Sequence, residues 1–166
     1  MEMRLKEALA LVAGIIGLVS VVLPWLSVRV LFISLDVTGV NLITGSVYYN
    51  MSSFSLIPAV EVIVGIVGAV VALPNVAKRN ESMLLISGIL MIISGVSWFV
   101  TLEASKNAAI SAVNSMNATP TATPFASPAT MKATLTTALL SISVGIGTIL
   151  MVVAGIIAVV ARFLKM

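Results

Sequence analysis

Apolar residues fall in four long runs separated by segments of quite different character. The runs cover residues 8–28 (ALALVAGIIGLVSVVLPWLSV), 56–74, 83–102 and 138–161. Three carry no charged residue, and the second carries one, Glu61. A hydrocarbon core about 30 Å thick is crossed by about 20 helical residues. Each run therefore predicts a transmembrane helix, and the chain reads as an all-α membrane protein of one integral domain, a four-transmembrane-helix bundle.

The intervening segments differ. In the first long loop, residues 29–55, apolar and polar residues alternate around Val28-Arg29-Val30 and Leu35-Asp36-Val37, with Gly39 and Gly45 as punctuation. Alternation bounded by turn residues predicts two or three short strands, a small β-sheet within this loop. A short link, residues 75–82, joins the second and third runs. Beyond Leu102 the chain reads EASKNAAISAVNSMN, without Gly or Pro, and apolar residues recur at helical spacing. The third helix is thus predicted to extend beyond the membrane to about residue 116. Residues 117–137 are rich in Thr and Pro, with Pro120, Pro124 and Pro128 four apart, which stops any helix.

Composition agrees with these elements. Of 166 residues, 60% are hydrophobic and only 9% charged, whereas soluble domains carry about a quarter charged residues. Neither Cys nor His occurs, which excludes disulfides, thiol nucleophiles and the usual zinc and haem ligands. The pI near 9.6 reflects a net charge of only +3, and the basic residues sit beside the apolar runs. They mark topology rather than nucleic acid. Arg4, Lys6, Lys78, Arg79, Arg162 and Lys165 share one side, while Arg29, Lys106 and Lys132 share the other. By the positive-inside rule both termini and the short link are cytoplasmic, and the strand-rich loop is extracellular, in a cell (plasma) membrane. Arg4 and Lys6 before an apolar run imitate a signal peptide. The run is long, however, and ends in Leu23-Pro24-Trp25 without a small-residue cleavage site, so an uncleaved helix is expected.

Trp25, Tyr48, Tyr49 and Trp98 all fall at the outer ends of the runs and are expected at the headgroup layer. Small residues recur at Ala10/Gly14, Ala13/Gly17, Gly65/Ala69, Gly68/Ala72, Ser87/Ser94, Gly88/Gly95, Ser141/Gly145 and Ser143/Gly147. In lipid such seams let helices approach closely, and packing within the chain is their simplest use.

Glu61 is the candidate for chemistry, because an ionisable residue within a span is a functional hypothesis by default. One reading is a proton- or cation-binding carboxyl with Arg29, Ser97 or Lys132 as partners. The other is a structural carboxyl held just under the headgroups. Proximity to the interface and the lack of a second intramembrane carboxylate favour the structural role. Pro58 and Pro74 lie at helix ends, so no broken-helix transport site is signalled. Hydroxyls at Ser20, Ser87, Ser94, Ser97 and Thr148 bond backbone or neighbouring helices most simply, with a polar pore lining as the alternative. No carboxylate pair, Ser-Lys arrangement or phosphate loop lies within a span, so neither catalysis nor a cofactor is expected. Asn50-Met51-Ser52 and Asn117-Ala118-Thr119 are outer sequons that a glycosylating host can use.

Four spans, inner termini, a strand-rich first loop and a projecting third helix resemble the claudin and peripheral-myelin-protein type of tetraspan. Uncharacterised prokaryotic four-span proteins with a Pro-Trp pair ending the first span, as Pro24-Trp25 does here, look similar. The claudin Gly-Leu-Trp run and cysteine pair are absent, so paracellular-pore and junction functions do not carry over. The resemblance implies a left-handed bundle under a small sheet, acting by lateral or cell-surface contacts. The expected function is non-enzymatic: contacts of the extracellular cap with another copy, another membrane protein or the envelope, in surrounding lipid. Two alternatives stand beside it, a small proton- or cation-handling transporter using Glu61 and an accessory subunit of a larger membrane enzyme.

Overall fold

The computed structural model describes residues 5–30, 33–44, 57–74, 81–115, 136 and 141–164. Along the chain come α1 (Leu5–Val22), β1 (Pro24–Val30), β2 (Ile33–Thr38), α2 (Gly39–Thr44), α3 (Ile57–Ala72), α4 (Glu81–Ser115), β3 (Ile142–Val144) and α5 (Ile146–Phe163). The helices α1, α4 and α5 are long and apolar enough to cross a membrane. The apolar α3 has 16 residues, about 24 Å at the α-helical rise.

The long helices pack in the cyclic order α1, α3, α4, α5, with α5 closing back on α1. Their facing stripes are built from small residues: Ala13 and Gly17 on α1, Gly65 and Ala69 on α3, Ser87 on α4 and Ala154 on α5 are all buried. Large aliphatic side chains such as Ile15, Ile63, Ile93 and Ile149 face outward. Small residues inside and large ones outside is an arrangement that lipid tolerates and water penalises. Helices α4 and α5 come close where Gly88 meets Gly155. A Cβ on either would stand 2.7 Å from the other's carbonyl oxygen.

Two expected spans are shorter as helices than their apolar runs. The first, expected over 8–28, is helical only to Val22, because Pro24 disfavours the helical conformation at the residue before it, and β1 opens at Pro24. In the described part of the fourth, expected over 138–161, Ile142–Val144 forms β3 and the helix begins at Ile146. The sheet is therefore not contained in the first loop. Its order is β2-β1-β3, both pairings antiparallel, with a strand from just before α5 completing it. The seam expected at Ser141/Gly145 and Ser143/Gly147 is correspondingly displaced, since Ser143 is an exposed strand residue. On α5, Gly147, Met151, Ala154, Gly155 and Ala158 line the packed face. The third span, expected over 83–102, lies within α4, which continues as one helix of 35 residues to Ser115.

Candidate functional site

Register explains how the sheet is fastened to the helices. Pro24 pairs with Thr38 and Leu26 with Val37, leaving Trp25 as the extra residue of a β-bulge. The bulge takes the Trp25 carbonyl out of the β1–β2 ladder and turns it toward the helices. There it accepts hydrogen bonds from the Gly145 amide at 2.8 Å, Trp98 Nε1 at 3.0 Å and Thr148 Oγ1 at 3.3 Å. Trp25 Nε1 in turn donates to the Ser20 carbonyl at 2.8 Å. The two indoles meet edge to face, centroids 6.1 Å apart and planes at 64°. The Trp25 carbonyl thus links β1 to α4 and α5, and its indole N–H adds α1.

This placement corrects the expectation for both tryptophans. Trp25 is 0% and Trp98 3% exposed, so both rings are covered by protein rather than open to headgroups. Each indole N–H finds a buried carbonyl, which removes the polar reason for an indole to stay at the interface. Room for the Trp25 ring comes from Gly39 and Gly147, where a Cβ would stand 3.1 Å and 2.9 Å from its Nε1. Tyr48 and Tyr49 lie outside the described residues.

Below this junction, Glu61 sits on α3 against α4. It is 8% exposed. Thr101 Oγ1 donates to its Oε1 at 2.8 Å, and Ser94 Oγ donates to its backbone carbonyl at 2.7 Å. Among the described residues no donor reaches Oε2, which is buried. Of the partners expected for this carboxyl, Ser97 is one helical turn before the residue that fills the role, Thr101. Arg29 is on β1 in register with Ser34, and Lys132 lies outside the described residues, as do the sequon residues Asn50 and Asn117. The signal for Thr101 was present, since Ser94 and Thr101 are seven apart and share a helix face.

Two thioethers lie deeper. Met91 and Met151 are 0% exposed; Ser20 Oγ, bonded to the Gly17 carbonyl at 2.7 Å, also points at Met151 Sδ at 3.8 Å. Ser87 Oγ donates to the Gly68 carbonyl at 2.7 Å. The Ser20 and Ser87 hydroxyls are thus spent on backbone carbonyls.

At the opposite end, Glu81 opens α4 and pairs with Lys6 of α1 at 3.3 Å and with Arg162 of α5. One carboxylate gathers three helix ends and also suits the N-terminal dipole of α4. The node is half-exposed, with a Glu81 side-chain accessibility of 50%. Glu81→Gln is therefore expected to destabilise by only about 1 kcal/mol or less. The difference should shrink as salt is added. Melting in detergent at low and high ionic strength checks both parts, and a large loss indifferent to salt would contradict them.

Comparison of the chain with protein-family models, with curated proteins and with solved structures gives no match.

Proposed function

We propose that this chain is a non-enzymatic, claudin-like tetraspan of the cell membrane whose outer cap makes protein contacts. In this reading α1, α3, α4 and α5 are the four spans, with both termini cytoplasmic. The shorter α3 is accommodated by modest thinning of the bilayer around it. Lys6 and Arg162, gathered at one end with Glu81, support that end as the inner one.

The observation that carries the proposal is the fastening of the cap. A loop that merely joined two spans would need no third strand from just before the last helix, nor a bulge seated on a buried tryptophan. Here β1 is held on one side by β2 and on the other by β3, and its bulge is bonded to α4 and α5. Lys106 Nζ on the outer part of α4 reaches the Ile142 carbonyl at 3.4 Å, tying that helix to β3 as well. A rigid platform lowers the ordering cost of binding a partner, which is how preorganisation raises affinity.

Purification from the native membrane in mild detergent, with mass spectrometry of co-eluting proteins, tests this. The expected result is a defined homo-oligomer or a stoichiometric membrane partner. Aromatic side chains are frequent interface anchors. The Tyr48→Ala/Tyr49→Ala double variant is therefore expected to lose that association while remaining monodisperse. A lone monomer, or a partner retained unchanged by the variant, would overturn the outer-cap reading. Co-elution with a membrane enzyme would identify the chain as its accessory subunit.

A further inference from the structure

The unmatched oxygen of Glu61 is not explained by packing. Buried polar atoms in folded proteins are nearly always hydrogen-bonded, and each exception calls for a physical cause. Oε1 has its donor in Thr101, and the Ser94 hydroxyl on the same helix is committed to the Glu61 backbone carbonyl. Oε2 has none among the described residues.

Charged groups among the described side chains of the packed elements do not supply one. On the outer part of α4, Lys106 Nζ lies 3.6 Å from Glu103 Oε1 and bonds the Ile142 carbonyl, so that pair is occupied with itself and with β3. On α1 and α5, Lys6 and Arg162 are at the far end with Glu81. The α2 segment, GVNLIT, carries no charge, and Glu61 is the one ionisable residue of α3. On the sheet, Asp36 Oδ1 accepts from Ser27 Oγ at 2.8 Å.

We propose that Glu61 is a binding site for a small monovalent cation, a proton or an alkali-metal ion, taken up on Oε2 between α3 and α4. Size argues for this class. Oε2 is buried, so a side chain from another protein cannot reach it without prising the helices apart, whereas a single ion delivered through transient water can. Chemistry argues for it too, since a carboxylate oxygen is a hard ligand suited to such cations. Thr101 holds the other oxygen and so fixes the orientation of the carboxyl toward its occupant. This site belongs to the helices and does not rest on the outer-cap reading.

The test uses the full chain in liposomes and a hydrophobic carbodiimide, which reacts with a carboxyl group in apolar surroundings when it carries a proton. Mass spectrometry of the wild-type peptide containing Glu61 reads the adduct directly, so the result does not depend on a variant folding. The expected adduct falls several-fold from mildly acidic to mildly basic pH when a proton is the occupant. At fixed pH it falls several-fold with added Na⁺ or Li⁺ when an alkali ion is the occupant. Glu61→Gln removes the adduct, and Thr101→Val changes the pH or salt midpoint while leaving the site reactive. Absence of the adduct at every pH and salt tried would overturn the proposal, as would a yield indifferent to both.

Discussion

Gly145→Ala is expected to weaken the junction between sheet and helices far more than its single methyl group implies. Gly145 has φ −82° and ψ 165°, an extended conformation open to any residue, so backbone freedom is not what it supplies. It supplies space. A Cβ there would fall on the Pro24 carbonyl, 2.5 Å from its carbon and 2.9 Å from the Trp25 carbonyl carbon. These are main-chain atoms of the bulge and cannot rotate aside. Relief requires β3 to withdraw from β1, which also stretches the Gly145 N–H bond to the Trp25 carbonyl, now 2.8 Å. Overpacking costs about 1–3 kcal/mol, and the lost hydrogen bond about 1 kcal/mol more. Gly14→Ala is the matched control. Its nearest neighbour is the Leu73 side chain, with Cδ2 at 2.6 Å, which can turn away. Unfolding midpoints in detergent should therefore rank wild type, then Gly14→Ala, then Gly145→Ala. Equal losses would show that backbone proximity is not what sets the cost.

The same junction marks where the sequence was legible and where it was not. Hydropathy located the apolar runs, because absence of charge over about 20 residues is a signal that no local conformation erases. It misjudged where helices stop. Pro24-Trp25-Leu26-Ser27-Val28 and Ile142-Ser143-Val144 are as free of charge as the apolar runs they belong to, and a short apolar run does not by itself distinguish strand from helix. The proline was the available clue in the first case. In the second, alternation of Ile, Ser and Val before Gly145 was the clue, but three residues are too few to stand out inside a 24-residue run. Pairing with β1, distant in sequence, decides the matter. Strands in the first loop were predicted, and the third partner was not, because strand pairing across the length of a chain leaves no local trace.

The candidate carboxyl shows a similar division. Charge alone singled out Glu61, since one Glu in a 19-residue apolar run is conspicuous. Of the partners expected, Arg29, Ser97 and Lys132, the one on α4, Ser97, lies one turn before Thr101, which makes the bond. Helical periodicity gives the face and leaves the height along it to interhelical packing. For the tryptophans, position at the ends of the apolar runs pointed to a headgroup layer, and a pocket with buried carbonyls leaves no local mark. The pocket prevails because Gly39 and Gly147, far apart in the chain, open the same space.

Trp25→Ala is expected to produce the largest loss of any single substitution considered. The side chain is 0% exposed, and removing a buried Trp costs about 3–5 kcal/mol. The Ser20 carbonyl then loses its indole donor, and Trp98 loses the edge-to-face contact. Trp98→Phe should be much milder. It retains an aromatic ring and removes one of three donors from the Trp25 carbonyl, which keeps Gly145 N–H and Thr148 Oγ1. A loss of about 1 kcal/mol follows. Trp25→Phe falls between them, keeping most of the buried volume but stranding the Ser20 carbonyl. The chain's two tryptophans both lie in this junction, so the long-wavelength tryptophan band of near-ultraviolet circular dichroism, where tyrosine and phenylalanine do not absorb, reports on it in the wild type. Followed against denaturant beside far-ultraviolet helicity, it separates two outcomes. Coincident transitions in the wild type, and a joint shift in Trp25→Ala, mean that cap and helices fold as one unit through the bulge. An early near-ultraviolet transition with helicity untouched means that the helices stand without the cap, and the Trp25 carbonyl would then orient the sheet without stabilising the membrane domain.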